Sequence, residues 1–596
     1  MPVNNANKPE KLFIVEMMPN AGMKFDGNVV ALTPEVIFAL SSRGIPFTIP
    51  DDYFSMDSYC AHSETNSTTF NDWIESIDNE LFNKFKALRS FNIKPARLYG
   101  YYLQLLIDPF VVATLRMKAI IKNLNPKEVV FCCCKQREEP VDYQLFIKGC
   151  SIESILIPFL CQKYKIAYTV KNVPKRRSFR CLIRSVLKSA RIIKNNLKNC
   201  ILLFSRSYPR NYRASMLLLA KTWDIERIGA SAQKKGYRLI GAVPKYDFNE
   251  NLEKLPHSDI AILESIGKVF DDVATEKISV LYTDRLKYFF NTICPNIELS
   301  VKYYLDIFKK QKIKFVLTPY KNRFEDFSVM AAANIAKDTL AIQIDHGYSA
   351  FDLNWWKYTE QPCNLYIAVT DELKQYHVDK VFKETKNTEI KLAESWTKKY
   401  RDIEKNRTGW NDRKTVLYIP TITSRNLERN DGAGYFNTWY FMHQSKLLKY
   451  FYSESNFDFV CKYAPNDSEI LDPISRIIRN AGWKNIVYTD GDLCENIKMA
   501  DLAVLDYPST PFLEAALAGI PTICLYYERS PIRVSAKEFF GKMLQPFLTT
   551  DEAIEKIRMF LMNNPGDYIR SFTQGEEDIF KIIQENADRI LALKLT

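Results

Sequence analysis

The chain has 596 residues, of which 46% are hydrophobic and 13% aromatic, and its formal net charge is +12. This length exceeds what one hydrophobic core usually supports, so we expect two or three domains. The apolar content excludes a globally disordered chain, and no apolar stretch approaches the roughly 18 residues that a membrane-spanning helix needs.

The N-terminal region predicts a strand, a helix and a second strand. An apolar run over residues 11–17 follows a polar lead, which is typical of a first strand and not of a signal peptide. A helical pattern over 33–43 ends at Gly44, and residues 45–49 have the composition of a strand. This alternation leads us to expect parallel βαβ units. Because neither a signal peptide nor a membrane-spanning stretch is predicted, we expect the protein to be made and kept in the cytoplasm.

Residues 129–134 predict another buried strand, and this strand ends in three consecutive cysteines (Cys132, Cys133 and Cys134). Neighbouring side chains on a strand point to opposite faces, so the three thiols cannot share one metal ion. The chain has no Cys-x-x-Cys repeat, and its five histidines are far apart in sequence. The spacing favours free thiols in a reducing compartment over a zinc site.

A predicted helix (152–164) and strand (166–170) lead into a strongly basic block. From Ser154 to Trp223 the sequence has 16 Lys or Arg and no Asp or Glu. Within the block, residues 176–198 have an apolar helical face flanked by basic residues. Such a helix can lie on an anionic membrane surface, or pack on a domain with its basic face in water. Nucleic-acid binding is disfavoured, because no recognition module with base-stacking aromatics is evident.

The second half of the chain alternates regularly between strands and helices. After a helix-rich middle (about 215–310), the pattern predicts strands at 313–317, 341–344, 365–369, 415–419, 457–463, 485–488, 502–505 and 522–526, separated for the most part by helices. Residues 376–412 are charged and suit an interdomain linker with helix. We expect an α/β fold of two doubly wound, Rossmann-like domains facing a cleft, with a helix-rich insertion. The predicted domains are residues 1–395, which include the basic helix at about 175–199, and residues 396–596.

The segment from 501 to 525 (DLAVLDYPSTPFLEAALAGIPTICL) carries the most information. It predicts a buried strand, a tight turn, and a helix with Thr510 as its cap and Pro511 in its first turn. The helix N-terminus, with the hydroxyls of Ser509 and Thr510, suits a phosphate group. Glu514, one turn further, is placed to reach a ribose hydroxyl. Ordinary capping of an αβ unit is the alternative explanation.

This segment resembles the C-terminal domain of GT-B-fold glycosyltransferases. The closest resemblance is to transferases of bacterial capsule and O-antigen loci, including enzymes that transfer Kdo, nonulosonates and glycerophosphate. The order of elements matches over roughly 313–530, and only 500–526 is specific. The resemblance implies that Ser509, Thr510 and Glu514 bind a nucleotide-activated donor, CMP-, CDP- or UDP-linked. It further implies that no metal or separate cofactor is needed, because helix dipoles and basic side chains stabilise the departing phosphate.

Three further segments fit the resemblance. Gln343-Ile-Asp345-His346-Gly347 is similar to the Gln-x-His-Gly loop of these transferases, with one extra residue before the histidine. A histidine there can act as a base or phosphate contact, or simply cap the turn. Hydroxyl and guanidinium groups suited to phosphate follow the first strand of the second domain, at Thr423, Ser424 and Arg425.

The third of these segments is Lys462-Tyr-Ala-Pro465. It resembles the Lys-x-His-Pro loop of the sialyl-, Kdo- and glycerophosphate transferases, although Ala464 replaces the histidine. This departure weakens an assignment to the sialyl-, Kdo- and glycerophosphate transferases. Lys462 is nevertheless suited to neutralising donor phosphate.

An inverting transferase needs a carboxylate or histidine that removes the acceptor's proton. The candidates are His346, Asp345 and the two carboxylates that flank the loop after the first strand, Glu16 and Asp26. For each single carboxylate, a solvated loop group is the alternative.

The leading hypothesis is transfer of a sugar from a nucleotide-sugar donor to a glycan or lipid-linked acceptor during bacterial surface-polysaccharide synthesis. A CDP-glycerol-type glycerophosphotransferase is the close rival. A nucleotide-sugar epimerase and a non-catalytic scaffold with a degenerate cleft are alternatives of other classes. The basic helix at 176–198 suggests peripheral association with the inner face of the cytoplasmic membrane.

Overall fold

The computed structural model describes residues 9–19, 23–134, 152–173, 212, 214–220, 222–241, 243, 246, 268–319, 324–345, 347–352, 363–383, 388–394, 396–404, 414–421, 436–463, 473–563, 565–576 and 578–594. Within these ranges the strands form three sheets, and every pair of neighbouring strands is parallel.

The strands are β1 (Lys11–Val15), β2 (Asn28–Ala31), β3 (Glu128–Cys134), β4 (Ala167–Val173), β5 (Ser215–Leu218), β6 (Arg238–Ile240), β7 (Ile313–Thr318), β8 (Leu340–Ile344), β9 (Leu365–Ala368), β10 (Glu389–Leu392), β11 (Lys414–Ile419), β12 (Phe457–Lys462), β13 (Ile486–Thr489), β14 (Leu502–Leu505), β15 (Thr522–Tyr527) and β16 (Leu544–Phe547).

The α-helices are α1 (Pro34–Ser42), α2 (Met56–Lys84), α3 (Lys86–Ser90), α4 (Pro95–Leu98), α5 (Gly100–Leu124), α6 (Ile152–Tyr164), α7 (Trp223–Lys234), α8 (Val269–Ala274), α9 (Ser279–Tyr288), α10 (Cys294–Lys310), α11 (Phe324–Ile335), α12 (Asp371–Tyr376), α13 (Lys398–Glu404), α14 (Asn437–Ser453), α15 (Ile474–Ala481), α16 (Leu493–Met499), α17 (Thr510–Leu517), α18 (Val534–Phe540), α19 (Thr550–Met562) and α20 (Ile579–Leu593).

The first sheet has the order β2-β1-β3-β4 and packs against the long helices α2 and α5. The predicted helix over 33–43 is confirmed as α1, with Thr33 as its cap. The strand predicted at 45–49 is wrong, because β2 precedes the helix and residues 45–49 contribute only a bridge between Val30 and Thr48. Pro46 lies inside that apolar run, and a proline has no N–H to donate to a strand ladder.

The second, middle sheet has the order β10-β9-β8-β7-β5-β6. Two of its strands, β5 and β6, come from the region expected to be helix-rich, and the edge strand β10 comes from the expected linker. These strands have three or four residues, too few for a clear alternating pattern. The C-terminal helix α20 returns to this sheet and packs its apolar face against it, including Phe580 against Phe315.

The third sheet has the order β13-β12-β11-β14-β15-β16, which is the doubly wound arrangement of a dinucleotide-binding domain. The helix predicted at 493–499 and the strand predicted at 502–505 are confirmed at those bounds. Gly482 ends α15 with a φ of +63°, a backbone conformation that favours glycine.

The predicted fold class is confirmed, since the middle and third sheets are two doubly wound α/β units. The first sheet is additional, so residues 1–395 contain two sheets where the sequence predicted one Rossmann-like domain. The division between 395 and 396 stays a prediction. Across the described ranges no helix is both long and apolar enough to cross a membrane. The basic helix predicted at 176–198 lies outside those ranges.

Candidate functional site

The strand order of the third sheet reverses between β11 and β14. In doubly wound sheets such a reversal marks the crevice at the carboxyl ends of the strands where ligands bind. Asp506, the first residue after β14, is fully buried there. Its carboxylate accepts hydrogen bonds from Tyr418 Oη (2.9 Å), the Thr421 backbone N–H (2.6 Å) and Gln444 Nε2 (3.0 Å). Burial raises the pKa of Asp506 to about 6, although the hydrogen bonds oppose the shift. This carboxylate therefore fastens the turn after β11 to the turn after β14.

Helix α17 begins at this crevice, and Ser509 is its cap residue, where the sequence predicted Thr510. The Thr510 hydroxyl accepts a hydrogen bond from the Tyr348 backbone N–H at 2.9 Å. A Cβ at Gly347 would collide with the Thr510 hydroxyl oxygen, so this close approach requires a glycine. The turn predicted to hold donor phosphate is thus tied directly to the loop after β8 of the middle sheet.

The same loop forms a buried seam with the third sheet. The backbone N–H of Ala350 donates to Pro508 O at 3.1 Å, and Ser349 bridges to Ser509. Beyond β15, the Arg533 guanidinium donates two hydrogen bonds of 2.9 Å to the Glu372 carboxylate, and each of these two side chains is 2% exposed. The middle and third sheets therefore meet through their carboxyl edges, as the predicted cleft requires.

Two predicted donor ligands, Glu514 and Lys462, lie at this edge of the third sheet. Glu514 is half-buried, and its Oε1 accepts a hydrogen bond of 2.5 Å from Tyr400 Oη. Burial raises the pKa of Glu514, while Tyr400 opposes the shift. Lys462 is buried at the end of β12 and donates to the Tyr463 carbonyl oxygen. Burial lowers its pKa, although Asp490, Asp492 and Glu514 are close enough to oppose this.

The structure brings Ser509, Thr510, Glu514 and Lys462 to one edge of the third sheet. The remaining predicted donor ligands, Thr423, Ser424 and Arg425, lie outside the described residues, as does the predicted base His346.

The predicted base Asp345 is buried directly after β8 and is 3% exposed. Its carboxylate accepts hydrogen bonds from Tyr366 Oη and the Val369 backbone N–H (3.1 Å), and His377 Nε2 lies 3.5 Å from Asp345 Oδ1. These contacts give Asp345 a structural role in holding the ends of β8 and β9 together.

Glu16 directly follows β1 at the carboxyl edge of the first sheet. Asp26 precedes β2 and pairs with Lys11, the first residue of β1, so it lies at the opposite, amino edge. Glu16 is buried, and its backbone N–H donates to Cys132 O at 2.9 Å. Asp26 is exposed and pairs with Lys11 at 3.2 Å, and this hydrogen bond lowers its pKa. A general base works best with a pKa near the operating pH, so the environment of Asp26 favours catalysis less than that of a buried carboxylate.

The first sheet also turns its carboxyl edge toward the third sheet. Glu35, in the first turn of α1, pairs with Arg476 in the first turn of α15. The Arg116 guanidinium donates to Thr438 Oγ1 in the first turn of α14 at 3.1 Å. These helices begin after β2, β12 and β11 respectively. The carboxyl edges of all three sheets therefore converge, which sequence reasoning did not predict.

One group with metal-ligand side chains is found in the described part of the chain, formed by Asp492, Cys494 and Glu495. Their ligand atoms lie within 4.8 Å of one another, and both carboxylates are exposed. Asp492 accepts a hydrogen bond from the Glu495 backbone N–H as the cap of α16. This capping accounts for the position of Asp492 without a metal ion.

Sequence reasoning missed Tyr400, Glu372 and Arg533. Tyr400 is 114 residues from Glu514, and Arg533 is 161 residues from Glu372. Contacts at such separations carry no periodic or motif signal in one sequence. The arrangement as a whole offers a helix N-terminus, a buried lysine and a half-buried carboxylate at one sheet edge, which suits a phosphate ester of a sugar or nucleoside.

Solved structures with a similar arrangement of elements are only distantly related. They include the UDP-GlcNAc 2-epimerase of Methanocaldococcus jannaschii (12% identity, 63% of this chain and 99% of that one, TM-score 0.36). A glycosyltransferase of Rickettsia africae ESF-5 is 13% identical in sequence, with a TM-score of 0.34. The match covers 65% of this chain and 95% of that one. MurG of Acinetobacter baumannii gives 8% identity, 64% and 100% coverage and a TM-score of 0.37. Likenesses this weak carry no argument about chemistry.

No curated protein sequence is significantly similar to the chain. A family model described as "LIC12162 family transferase" matches residues 126–545, which is more than half of the chain and spans the middle and third sheets. The protein therefore belongs to the LIC12162 family of transferases.

Proposed function

We propose that the protein is a glycosyltransferase that moves a sugar from a nucleotide-activated donor to a glycan or lipid-linked acceptor in bacterial surface-polysaccharide synthesis. The observation that carries the proposal is the crevice between β11 and β14, flanked by the N-terminus of α17, Glu514 and Lys462. Membership in a transferase family supports a group transfer over a purely structural role.

In this proposal residues 396–596, which include the whole third sheet, bind the donor. The Thr510 N–H at the start of α17 and the Ser509 hydroxyl face the donor phosphate, which Lys462 helps to neutralise. Pro511 has no N–H, and the Phe512 N–H already donates to Ser509 O at 2.9 Å. Glu514 accepts a hydrogen bond from a ribose hydroxyl. The Thr510 hydroxyl, already bonded to the Tyr348 N–H, contributes by holding the loop after β8. Thr423, Ser424 and Arg425 complete the phosphate site.

Residues 1–395 form the acceptor side in this proposal. The acceptor's proton is removed by one of His346, Asp345, Glu16 and Asp26. The buried Glu16 suits this role better than Asp26, whose carboxylate is exposed and paired with Lys11. Departing phosphate is stabilised by the helix N-terminus and by basic side chains, without a metal ion.

The test is nucleotide binding. We expect one of UDP, GDP, CDP, CMP and dTDP to raise the melting temperature, since a ligand at 100 times its Kd adds about 2.7 kcal/mol of stability. Glu514→Gln should weaken this binding about tenfold, because a charged hydrogen bond is lost. Glu538→Gln is the matched control, since Glu538 is an exposed carboxylate of the same unit. Failure of all five nucleotides to bind would contradict the proposal.

The transferred group distinguishes sugar transfer from glycerophosphate transfer. We expect the acceptor to gain the mass of a sugar. A gain of a glycerophosphate unit would instead identify a CDP-glycerol-type enzyme, a result that the replacement of the loop histidine by Ala464 disfavours.

We also propose that residues 176–198 hold the protein at the anionic inner face of the membrane. The expected result is binding to vesicles with anionic lipid that weakens as salt rises, and its loss when 176–198 are deleted. Equal vesicle binding by the deletion variant would refute this assignment.

A further inference from the structure

The helix α13, which lies between β10 and β11, is anchored firmly. It carries Arg401, which is 7% exposed. The Arg401 guanidinium donates to the carbonyl oxygens of Phe572 (3.1 Å) and Thr573 (2.9 Å) and pairs with Glu394 at 3.2 Å. The sequence predicted a linker here, but these contacts make α13 a fixed part of the site's surroundings.

Two aromatic side chains between β10 and β11, four residues apart, reach both halves of the site. Trp396 Nε1 donates a hydrogen bond of 3.1 Å to the backbone oxygen of Asp345, directly after β8. Tyr400 Oη donates to Glu514 Oε1 at 2.5 Å. Their rings are in edge-to-face contact, with centroids 6.3 Å apart. Trp396, just before α13, and Tyr400, within it, therefore connect the loop after β8 to the carboxylate on α17.

We propose that Tyr400 is a positioning residue for Glu514, and that Trp396 ties its position to the loop after β8. This rests on the proposed function, in which Glu514 binds the donor. Tyr400 is 2% exposed, so its hydroxyl acts through the carboxylate and not on a ligand directly. The orientation of the ribose-binding carboxylate is thereby set from outside the third sheet.

The charged groups around Glu514 make the hydrogen bond testable by pH. Tyr400 and Lys399 face it from α13, Asp492 from the start of α16, and Lys462 from the end of β12. Burial raises the pKa of Glu514, and the Tyr400 hydroxyl limits the rise. Removing the hydroxyl must raise this pKa further. When the pKa of a carboxyl group is higher in the folded than in the unfolded protein, the folded protein loses stability as pH rises through that interval. The destabilisation caused by removing the Tyr400 hydroxyl must therefore be greater at high pH.

The experiment is a cycle of Tyr400→Phe, Glu514→Gln and the double variant, with melting temperatures measured at pH 5 and pH 8. We expect Tyr400→Phe to lower the melting temperature at least twice as much at pH 8 as at pH 5, since hydrogen bonds to charged groups are about twice as strong as neutral ones. The pH difference should vanish in the Glu514→Gln background. Tyr53→Phe is the control, because it removes a hydroxyl that bonds Thr48 (3.0 Å) in the first-sheet unit. The proposal is overturned if Tyr400→Phe lowers the melting temperature equally at both pH values. It is also overturned if the difference between the two pH values persists in the Glu514→Gln background.

A binding measurement separates this proposal from the proposed function. UDP, GDP, CDP, CMP and dTDP are titrated into the same four proteins by calorimetry. For a nucleotide that binds the wild type, Tyr400→Phe should raise Kd about tenfold, and the double variant should bind no more weakly than Glu514→Gln alone. An unchanged Kd in Tyr400→Phe contradicts the positioning role. If no nucleotide binds the wild type, the donor assignment fails, and the pH cycle still decides whether Tyr400 positions Glu514.

Discussion

The seam between the middle and third sheets contains a buried ion pair, Arg533–Glu372, and the loss of this pair should weaken the whole molecule. Arg533 donates two hydrogen bonds of 2.9 Å to Glu372, and Ser535 Oγ donates to the same carboxylate at 2.7 Å. The guanidinium also donates to the backbone oxygens of Ser349 and Phe351. The Tyr348 hydroxyl accepts from Arg533 and donates to Glu372, each at 3.3 Å. Seven hydrogen bonds thus involve two side chains that are each 2% exposed.

Glu372→Gln keeps the shape of the side chain but leaves the Arg533 cation without its counter-charge. Removing one partner of a buried pair typically costs about 3–5 kcal/mol, because the other charge stays buried. We expect a loss near the lower end, about 3 kcal/mol, since the Ser349 and Phe351 carbonyls still accept from Arg533. Glu372→Met combined with Arg533→Met should cost less than the two single variants together, because no unpaired charge remains.

Differential scanning calorimetry measures this on the wild type, Glu372→Gln, Glu372→Met, Arg533→Met and the double methionine variant. We expect Glu372→Gln to lower the melting temperature and to separate the unfolding of the middle and third-sheet units, which unfold together in the wild type if the seam couples them. An exposed control of the same kind is Glu495→Gln, whose partner Lys498 forms a surface pair of 2.7 Å. The reasoning is refuted if Glu372→Gln costs no more than that control, or if the costs of the Glu372 and Arg533 substitutions simply add.

Three further predictions concern single side chains. Thr510→Val should lower the free energy of unfolding by about 1–2 kcal/mol and Thr510→Ser by much less, because only the valine leaves the Tyr348 N–H without its acceptor. Urea unfolding of both variants measures this difference. Lys594→Met should cost about 2 kcal/mol in the same assay, because its ammonium donates to three carbonyl oxygens at and just beyond the end of α11, at 2.6–3.0 Å. Burial lowers the pKa of His443 to about 3, so the wild type should lose about 3 kcal/mol between pH 7 and pH 4.5 as the unfolded histidine protonates. His443→Phe keeps the stack with Trp439 and should show a smaller acid loss by calorimetry; an equal loss would show that other groups cause it.

The contacts around Thr510 illustrate how the site differs from a simple reading of its motif. The Ser-Thr turn was predicted to present two hydroxyls to phosphate, but the Thr510 hydroxyl bonds the loop of the facing sheet. Pro511 has no N–H, and the Phe512 N–H donates to Ser509 O at 2.9 Å. That leaves the Thr510 N–H and the Ser509 hydroxyl for an anion. A motif identifies which side chains are available, whereas the partner of each one depends on what packs against it.

The sequence alone predicts most of the third-sheet unit up to β15, whereas β16, α18 and α19 follow the last element that it predicts. The strand β14 is a fully apolar run, α16 has its predicted bounds, and Gly482 ends α15, so local signals agree with the final fold there. The same signals led to the correct edge of the sheet, because a doubly wound sheet binds ligands at its carboxyl ends. Ser509, Glu514 and Lys462 follow from that rule together with the resemblance.

Only the tertiary structure decided the rest. Strands β5, β6 and β10 have three or four residues. They exist because β7, β5 and β9, respectively, offer them ladder partners, so tertiary pairing outweighs their weak local preference. The convergence of three sheets, the Arg533–Glu372 pair and the Tyr400–Glu514 hydrogen bond join residues more than one hundred positions apart. Such contacts are selected by shape and charge in the packed interior, where an unpaired polar group is costly, and no local pattern encodes them.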